Sequence, residues 1–247
     1  HSYTSRSPLF FSYKNIVNND HPIVGENFCM QCHNPVAFLT GENTAVFENV
    51  SEFLNSDLNQ SIKDGIGCDV CHTVTGLSQT VHAGDNLAAT AEYKLYPLGN
   101  IKFGSIQDPE PNDYHASYYL PTYSSSQMCL PCHDLVVRDV EAEITFTEWN
   151  RIPGFSMFGG VSCQDCHMPK GYESPDGTIT IDQIQTKIAV LQDQEYPEAD
   201  HRIPTKDHTV RFREEGYRRH TFQGANVYLM ELFRQFNDVL GVRLKDY

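Results

Sequence analysis

The sequence predicts a single domain over residues 1–247 that is mainly irregular and α-helical, with few short strands. Three observations lead to this prediction. All eight cysteines fall in four Cys-x-x-Cys-His units, the units are unevenly spaced along the chain, and long segments with a regular helical or strand period are rare. We therefore expect bound groups, and not packed side chains alone, to form much of the core.

Each Cys-x-x-Cys-His unit predicts an attachment site for c-type haem. The two thiols can add to the two vinyl groups of the haem, while the adjacent histidine reaches the iron from one face. The predicted attachment residues are Cys29, Cys32, Cys68, Cys71, Cys129, Cys132, Cys163 and Cys166, and the predicted proximal iron ligands are His33, His72, His133 and His167. The predicted fold is thus a multihaem cytochrome c in which a stack of four covalent haems is the core.

Other uses of paired cysteines explain the pattern less well. A disulfide framework is typical of shorter chains and gives no reason for a histidine after every second cysteine. Two zinc ribbons would use the eight thiols, but a tetrahedral site does not require an abutting histidine each time. A thioredoxin-like redox motif accounts for one Cys-x-x-Cys unit and not for four.

Composition limits the partners and the compartment. The formal net charge of −14 disfavours binding to nucleic acid, which needs clustered Lys and Arg. No apolar run has the length of a membrane-spanning helix. Because cytochromes c are matured outside the cytoplasm, we expect an export signal cleaved before His1 and a protein that is extracellular or on the cell surface, or periplasmic if it is a shuttle.

Four segments carry a secondary-structure signal. Residues 51–62 have near-helical apolar spacing and stop before Gly65, and residues 226–240 predict a helix closed by Gly241. The predicted apolar face of the second helix is Leu229, Leu232, Phe233, Phe236 and Leu240. Residues 138–147 and 178–190 alternate and contain β-branched side chains, which predicts strands.

Each iron has a second axial position that the attachment units do not fill. Seven histidines lie outside the units, namely His1, His21, His82, His115, His201, His208 and His220. Methionine is the competing ligand and raises the reduction potential, with Met157 and Met230 as candidates. The supply of histidine favours iron closed by two imidazoles at every site, which points to electron transfer and away from catalysis.

Several stretches resemble the multihaem cytochromes c of the group that includes the tetrahaem cytochrome of ammonia oxidisers. The similar stretches run through most of the chain and are residues 67–76, residues 103–109 followed by His115, Glu148-Trp149, residues 160–169, and residues 220–224. The resemblance implies distal iron ligands at His1, in the segment with Pro8-Leu9-Phe10, and at His115 and His220. The fourth distal seat falls to His208, with His21 and His82 in reserve, and His1 could serve its own iron or that of another subunit.

The predicted function is electron transfer, with no enzymatic activity. Similarity to the tetrahaem subunits of extracellular cytochrome filaments implies self-association into a nanowire for respiratory electron export, with redox proteins or an extracellular acceptor as partners. The alternative is a soluble periplasmic tetrahaem shuttle. A third interpretation is a multihaem reductase or oxidase of small nitrogen or sulfur compounds, which would need an iron with an open face.

Overall fold

A computed structural model of the chain describes residues 1, 4–20, 28–42, 47–77, 93–96, 99–109, 114–137, 140–155, 160–168, 172–174, 177–179, 218, 220, 222, 224 and 227–241. These residues form short helices and two-stranded sheets joined by irregular segments. The predicted fold class, mainly irregular and α-helical with few short strands, is confirmed.

The helices are mostly one or two turns long. In chain order they are α1 (Pro8–Asp20), α2 (Met30–His33), α3 (Pro35–Thr40), α4 (Val50–Asn55), α5 (Gln60–Lys63), α6 (Cys68–His72), α7 (Leu130–His133), α8 (Thr145–Arg151), α9 (Cys163–His167), α10 (Val227–Gln235) and α11 (Asn237–Leu240). Short 3₁₀ helices occupy Thr4–Arg6, Pro121–Ser124 and Ser126–Met128. None of the described helices is long and apolar enough to cross a membrane.

The strands pair two by two. They are β1 (Val74–Leu77), β2 (Tyr93–Leu95), β3 (Ile101–Gly104), β4 (Ala116–Tyr119), β5 (Leu135–Val137), β6 (Val140–Glu143), β7 (Tyr172–Ser174) and β8 (Gly177–Ile179). The β1–β2, β5–β6 and β7–β8 pairs are antiparallel, and β3 pairs with β4 in parallel.

The described contacts divide the chain into two compact units. The first unit contains residues 1–95, 129–151 and 224–247, and the second contains residues 96–128 and 152–223. The first three Cys-x-x-Cys-His units belong to the first compact unit and the fourth belongs to the second. That residues 1–247 form one domain stays a prediction.

The apolar core of the first unit surrounds the first attachment motif. Its main cluster of buried side chains consists of Phe10, Phe11, Met30, Ala37, Val50, Phe53, Ile62 and Leu240. A smaller cluster joins Leu130 and Phe146, with Leu77 and Trp149 packed against it. Because Met30 and Leu130 lie between the cysteines of the first and third motifs, both motifs are anchored in apolar packing.

A buried arginine fixes the segment before α1. Arg6 is 5% exposed, and its Nε donates to the carbonyl oxygen of Lys63 at 3.0 Å. Its Nη2 lies 2.9 Å from Asp64 Oδ1, and its Nη1 donates to the carbonyl oxygen of Gly241, at the end of α11. One side chain therefore ties residues 4–6 to two other parts of the first unit.

The helix predicted at 51–62 and the strand predicted at 138–147 need correction. The predicted helix at 51–62 is two helices, α4 and α5, because Ser56 Oγ donates to the carbonyl oxygen of Phe53 and Asn59, which accepts from the backbone nitrogen of Ser61, caps a new helix that begins at Gln60. Of the strand predicted at 138–147, β6 is confirmed, and residues 138 and 139 lie outside the described residues. Residues from Thr145 are helical, because the buried carboxylate of Asp134 accepts from the backbone nitrogen and Oγ1 of Thr147.

The predicted helix at 226–240 forms with a break at Phe236, and Gly241 ends it in the left-handed conformation at φ 62°. Phe236 is 50% exposed, so it does not share the apolar face predicted for it. Of the strand predicted at 178–190, residues 178 and 179 belong to β8 and the remainder lies outside the described residues.

Candidate haem sites

Each attachment motif forms a single turn of helix. In the first motif the backbone nitrogen of His33 donates to the carbonyl oxygen of Cys29 at 3.0 Å, and in the third His133 donates to Cys129 at 3.1 Å. Residues three apart on a helix lie on one side, so both cysteines of a motif point toward the same region. All eight cysteines are described and none is in a disulfide.

In the first and third motifs, the residue that follows the histidine is buried and its side chain forms hydrogen bonds. Asn34 is fully buried, and its side chain accepts from Ala37 and donates to the carbonyl oxygen of Ile62 at 2.8 Å. Asp134 holds the corresponding place after His133 and is 1% exposed. These bonds fix the backbone that carries each proximal imidazole.

Cysteines from three motifs gather around Tyr93 in the first unit. A hydrogen bond with Cys32, together with burial, raises the pKa of the Cys132 thiol well above its usual value, while the phenol of Tyr93 opposes this rise. Burial raises the pKa of Cys71 to about 11, and the nearby thiols of Cys132 and Cys68 add to the rise. Cysteines of the first three motifs therefore lie close to one another in the first unit.

The third motif faces His1. The Nε2 atoms of His133 and His1 are 3.4 Å apart, and the two ring planes meet at 66°. His1 is held in place by its carbonyl oxygen, which accepts from the backbone nitrogen of Thr4 at 3.1 Å and from its Oγ1 at 2.9 Å. The first residue and a motif histidine of the same chain are thus brought together.

This pair could hold an iron only after the two rings move slightly apart. Imidazole nitrogen binds a first-row metal at about 2.0–2.1 Å, so two imidazoles that shared one iron would have nitrogens about 4 Å apart. The observed 3.4 Å is longer than an ordinary N–H hydrogen bond and shorter than that separation by roughly 0.7 Å. Among the described residues no group of three His, Cys, Asp or Glu side chains could hold a metal ion by itself.

The fourth motif is linked to the segment that carries His220. Arg218 Nη1 lies 2.6 Å from Oδ1 of Asp165, which stands between the motif cysteines. Oδ2 of Asp165 accepts from the backbone nitrogen and Oγ of Ser162, so this carboxylate also caps the motif helix. Burial acts to raise the pKa of Asp165, but the bonds from Ser162 and Arg218 outweigh it, and the pKa is lowered.

The backbone after His220 takes a conformation that a bulky residue rarely adopts. Phe222 has φ 47°, which costs roughly 1–2 kcal/mol for a residue with a side chain. Its ring lies edge-on to the His220 imidazole with the centroids 5.9 Å apart. The resulting turn holds Phe222 against His220.

If His220 is the distal ligand of an iron at the fourth motif, replacing Arg218 with alanine is expected to weaken its binding. The ion pair between Arg218 and Asp165 joins the segment of His220 to motif helix α9. We expect a mixture of low-spin and high-spin iron at one haem, measured by EPR of the oxidised protein. Arg218→Lys, which keeps the charge, should restore most of the low-spin signal. A fully low-spin Arg218→Ala protein would contradict this role.

His115 is also oriented by a neighbour. Its Nδ1 and the Oγ of Ser117 are hydrogen-bonded at 3.1 Å in the second unit. When the hydroxyl accepts the Nδ1 proton, Nε2 carries the lone pair, which is the tautomer that binds a metal. His115 therefore has the arrangement expected of an iron ligand.

Of the remaining candidate ligands, only Met230 lies within the described residues. His21, His82 and His208 lie outside the described residues, as does Met157. Met230 is 60% exposed on α10.

Tyr93, Ser117, Asp165 and Arg218 were not predicted from the sequence. Asp165 could have been found, because Ser162 and Asp165 have the spacing of a capping box at the start of a helix. Ser117 lies only two residues from His115, whereas the contacts of Tyr93 and Arg218 join distant parts of the chain and leave no local signal.

No protein-family model matches the chain, and no curated protein matches it. Among solved structures, the chain is similar to the crystal structure of a penta-haem cytochrome c552 from Thermochromatium tepidum, with a TM-score of 0.51 and 16% sequence identity. The fold is that of a multihaem cytochrome c. The match covers 93% of this chain and 53% of the other, so the chain spans about half the length of that multihaem cytochrome.

The multihaem cytochrome c fold predicted from the sequence is therefore confirmed at the level of architecture. At this identity the similarity concerns the fold alone. The narrower resemblance to the tetrahaem cytochrome of ammonia oxidisers stays a prediction, as do the haem count of four and the ligand assignments.

Proposed function

We propose that the chain holds four c-type haems and transfers electrons between redox partners. The observation that carries this proposal is the His1–His133 pair, whose Nε2 atoms face each other at 3.4 Å. Bound haem supplies an iron that can gain and lose one electron. The chain attaches each haem, orients it and fills its axial positions.

The cysteines supply the covalent attachment. Each thiol would hold its haem through a thioether bond, formed by addition across one vinyl double bond with the thiol hydrogen passing to the other vinyl carbon. Such an addition would consume no oxidant.

Filled axial positions favour a carrier over an enzyme. With His1 opposite His133, both faces of that iron would be occupied by protein. Ion pairing of Arg218 with Asp165 supports the same arrangement for His220 and His167. We propose that His1 serves its own chain, and that the fourth distal seat belongs to His208, His21 or His82.

Within the carrier class we propose a subunit of an extracellular cytochrome filament. Large apolar side chains on the last two helices are exposed, and contact with another copy of the chain would cover such a surface. These side chains are Val227, Tyr228, Met230, Phe236 and Val239. A periplasmic shuttle is the alternative, and a reductase or oxidase is the third interpretation.

Two measurements on the native protein test the function. Intact mass should equal the chain plus four haems, and EPR of the oxidised protein should show only low-spin iron. A smaller haem content would contradict the four attachment sites, and a fully high-spin haem would favour the enzyme. Electron microscopy of the same material should show filaments, whereas uniform monomers would favour the shuttle.

A further inference from the structure

Helix α1 places an aromatic ring against the proximal histidine of the first motif. The ring of Phe10 stacks on the imidazole of His33, with the centroids 4.6 Å apart and the planes inclined by 23°. Phe10 is 9% exposed and belongs to the main apolar cluster. Its neighbour Phe11 meets it edge-on at 75°, so the ring of Phe10 is held from the side as well.

The same segment also contacts the backbone of His33. Thr4 Oγ1 lies 2.9 Å from the carbonyl oxygen of His33, and Ser5 and Thr4 both pack closely against Gly65, whose φ of 71° suits glycine. The ring and the backbone of His33 are therefore both in contact with residues 4–10. This contact at the carbonyl is independent of the stacking.

Orientation matters for an imidazole bound to iron. The bond from Nε2 fixes the direction of the ring but leaves rotation about that bond free. The angle of the ring plane sets how the iron d orbitals split, and so it affects both the EPR signal and the reduction potential. Groups that orient a metal ligand tune the metal without touching it.

We propose that Phe10 is a positioning residue that fixes the ring plane of His33 and thereby tunes the haem attached at Cys29 and Cys32. This inference rests on the proposed function, since it requires a haem at the first motif. Phe10 contacts the ligand by its flat face, and a flexible side chain of similar volume cannot reproduce that contact. The segment that carries His1 thus acts on two haem sites, the third through His1 and the first through Phe10.

The test compares Phe10 with a matched residue of the same core. Phe53 is 1% exposed in the same cluster and packs on Phe11 and Phe47. In the full haem-loaded protein, Phe10→Leu and Phe10→Met should each shift one of the four low-spin EPR signals and the midpoint potential of one haem. Phe53→Leu should lower the melting temperature to a similar extent and leave all four signals in place. Phe10→Tyr, which keeps the flat ring, should restore the wild-type signal.

The possible outcomes distinguish the role of Phe10 from the proposed function. Four low-spin signals that do not change in Phe10→Leu or Phe10→Met would overturn the role of Phe10 alone, as would an equal shift in Phe53→Leu. A wild-type protein without a haem at Cys29 and Cys32, shown by intact mass, would overturn the proposed function together with this inference. Met fills irregular gaps readily, so Phe10→Met keeps the test available if Phe10→Leu does not fold.

Discussion

Replacing His1 with alanine is expected, under the proposed function, to convert one low-spin haem into a high-spin haem. The Nε2 atoms of His1 and His133 are 3.4 Å apart, and removal of one imidazole would leave the iron of the third motif with a single axial ligand from the protein. EPR of the oxidised protein measures the change directly. Because the pair lies within one chain, the effect should be the same in dilute monomers and in any assembled form.

A second substitution at the same position controls for loss of structure. His1→Met keeps a ligand with a longer reach, so the haem should remain low-spin while its potential rises, since methionine ligation raises the potential of haem iron. If His1→Ala kept four low-spin haems, His1 would not be the ligand. If the wild-type protein lost one low-spin signal on dilution, the ligand would come from another subunit.

Replacing Arg6 with methionine is expected to cause a marked loss of stability in the first unit. Arg6 is 5% exposed, and its removal leaves the carbonyl oxygens of Lys63 and Gly241 and the carboxylate of Asp64 without this donor. Asp64 Oδ1 keeps the bond from Gln60, and the carbonyl oxygen of Lys63 keeps a long bond from Ser5. The carbonyl oxygen of Gly241 loses most, so we expect a cost of roughly 1–3 kcal/mol in the free energy of unfolding. Denaturant unfolding, followed by circular dichroism, measures the loss.

An exposed arginine provides the control. Arg234 pairs with Glu231 on α10 at 2.6 Å, but both side chains are open to solvent. Exposed pairs contribute little to stability, so Arg234→Met should leave the unfolding midpoint nearly unchanged. An Arg6→Met protein as stable as Arg234→Met would show that the buried contacts of Arg6 do not support the fold.

The attachment residues were predictable because their signal is local. Two cysteines and a histidine within five residues specify one turn of helix and one kind of chemistry, and the structure shows that turn in all four motifs. The helix at 226–240 was predictable for the same reason, since an apolar period and a closing Gly241 lie in one short stretch. Its break at Phe236 was not marked by any residue type.

The pairing of ligands could not be predicted from residues alone. His1 and His133 are 132 positions apart, and no periodicity connects them. His1 was one of seven candidate histidines, and the resemblance that selected it did not say which iron it binds. The strand predicted at 138–147 ends before Thr145 for a similar reason. β-branched residues favour a strand, but Asp134 caps the backbone at Thr147 and a tertiary contact overrides the propensity.

The contact between Arg6 and Gly241 has a consequence for the order of folding. It closes a loop of 235 residues, and contacts of such separation form late because the chain entropy must be lost first. The motif turns, by contrast, need only neighbouring residues. Under the proposed function, attachment of haem at a motif can therefore precede closure of its second axial position, and His1 would be brought against His133 after α11 has docked. We then expect a chain truncated before Gly241 to accept haem and still lack a firmly held ligand at the third motif.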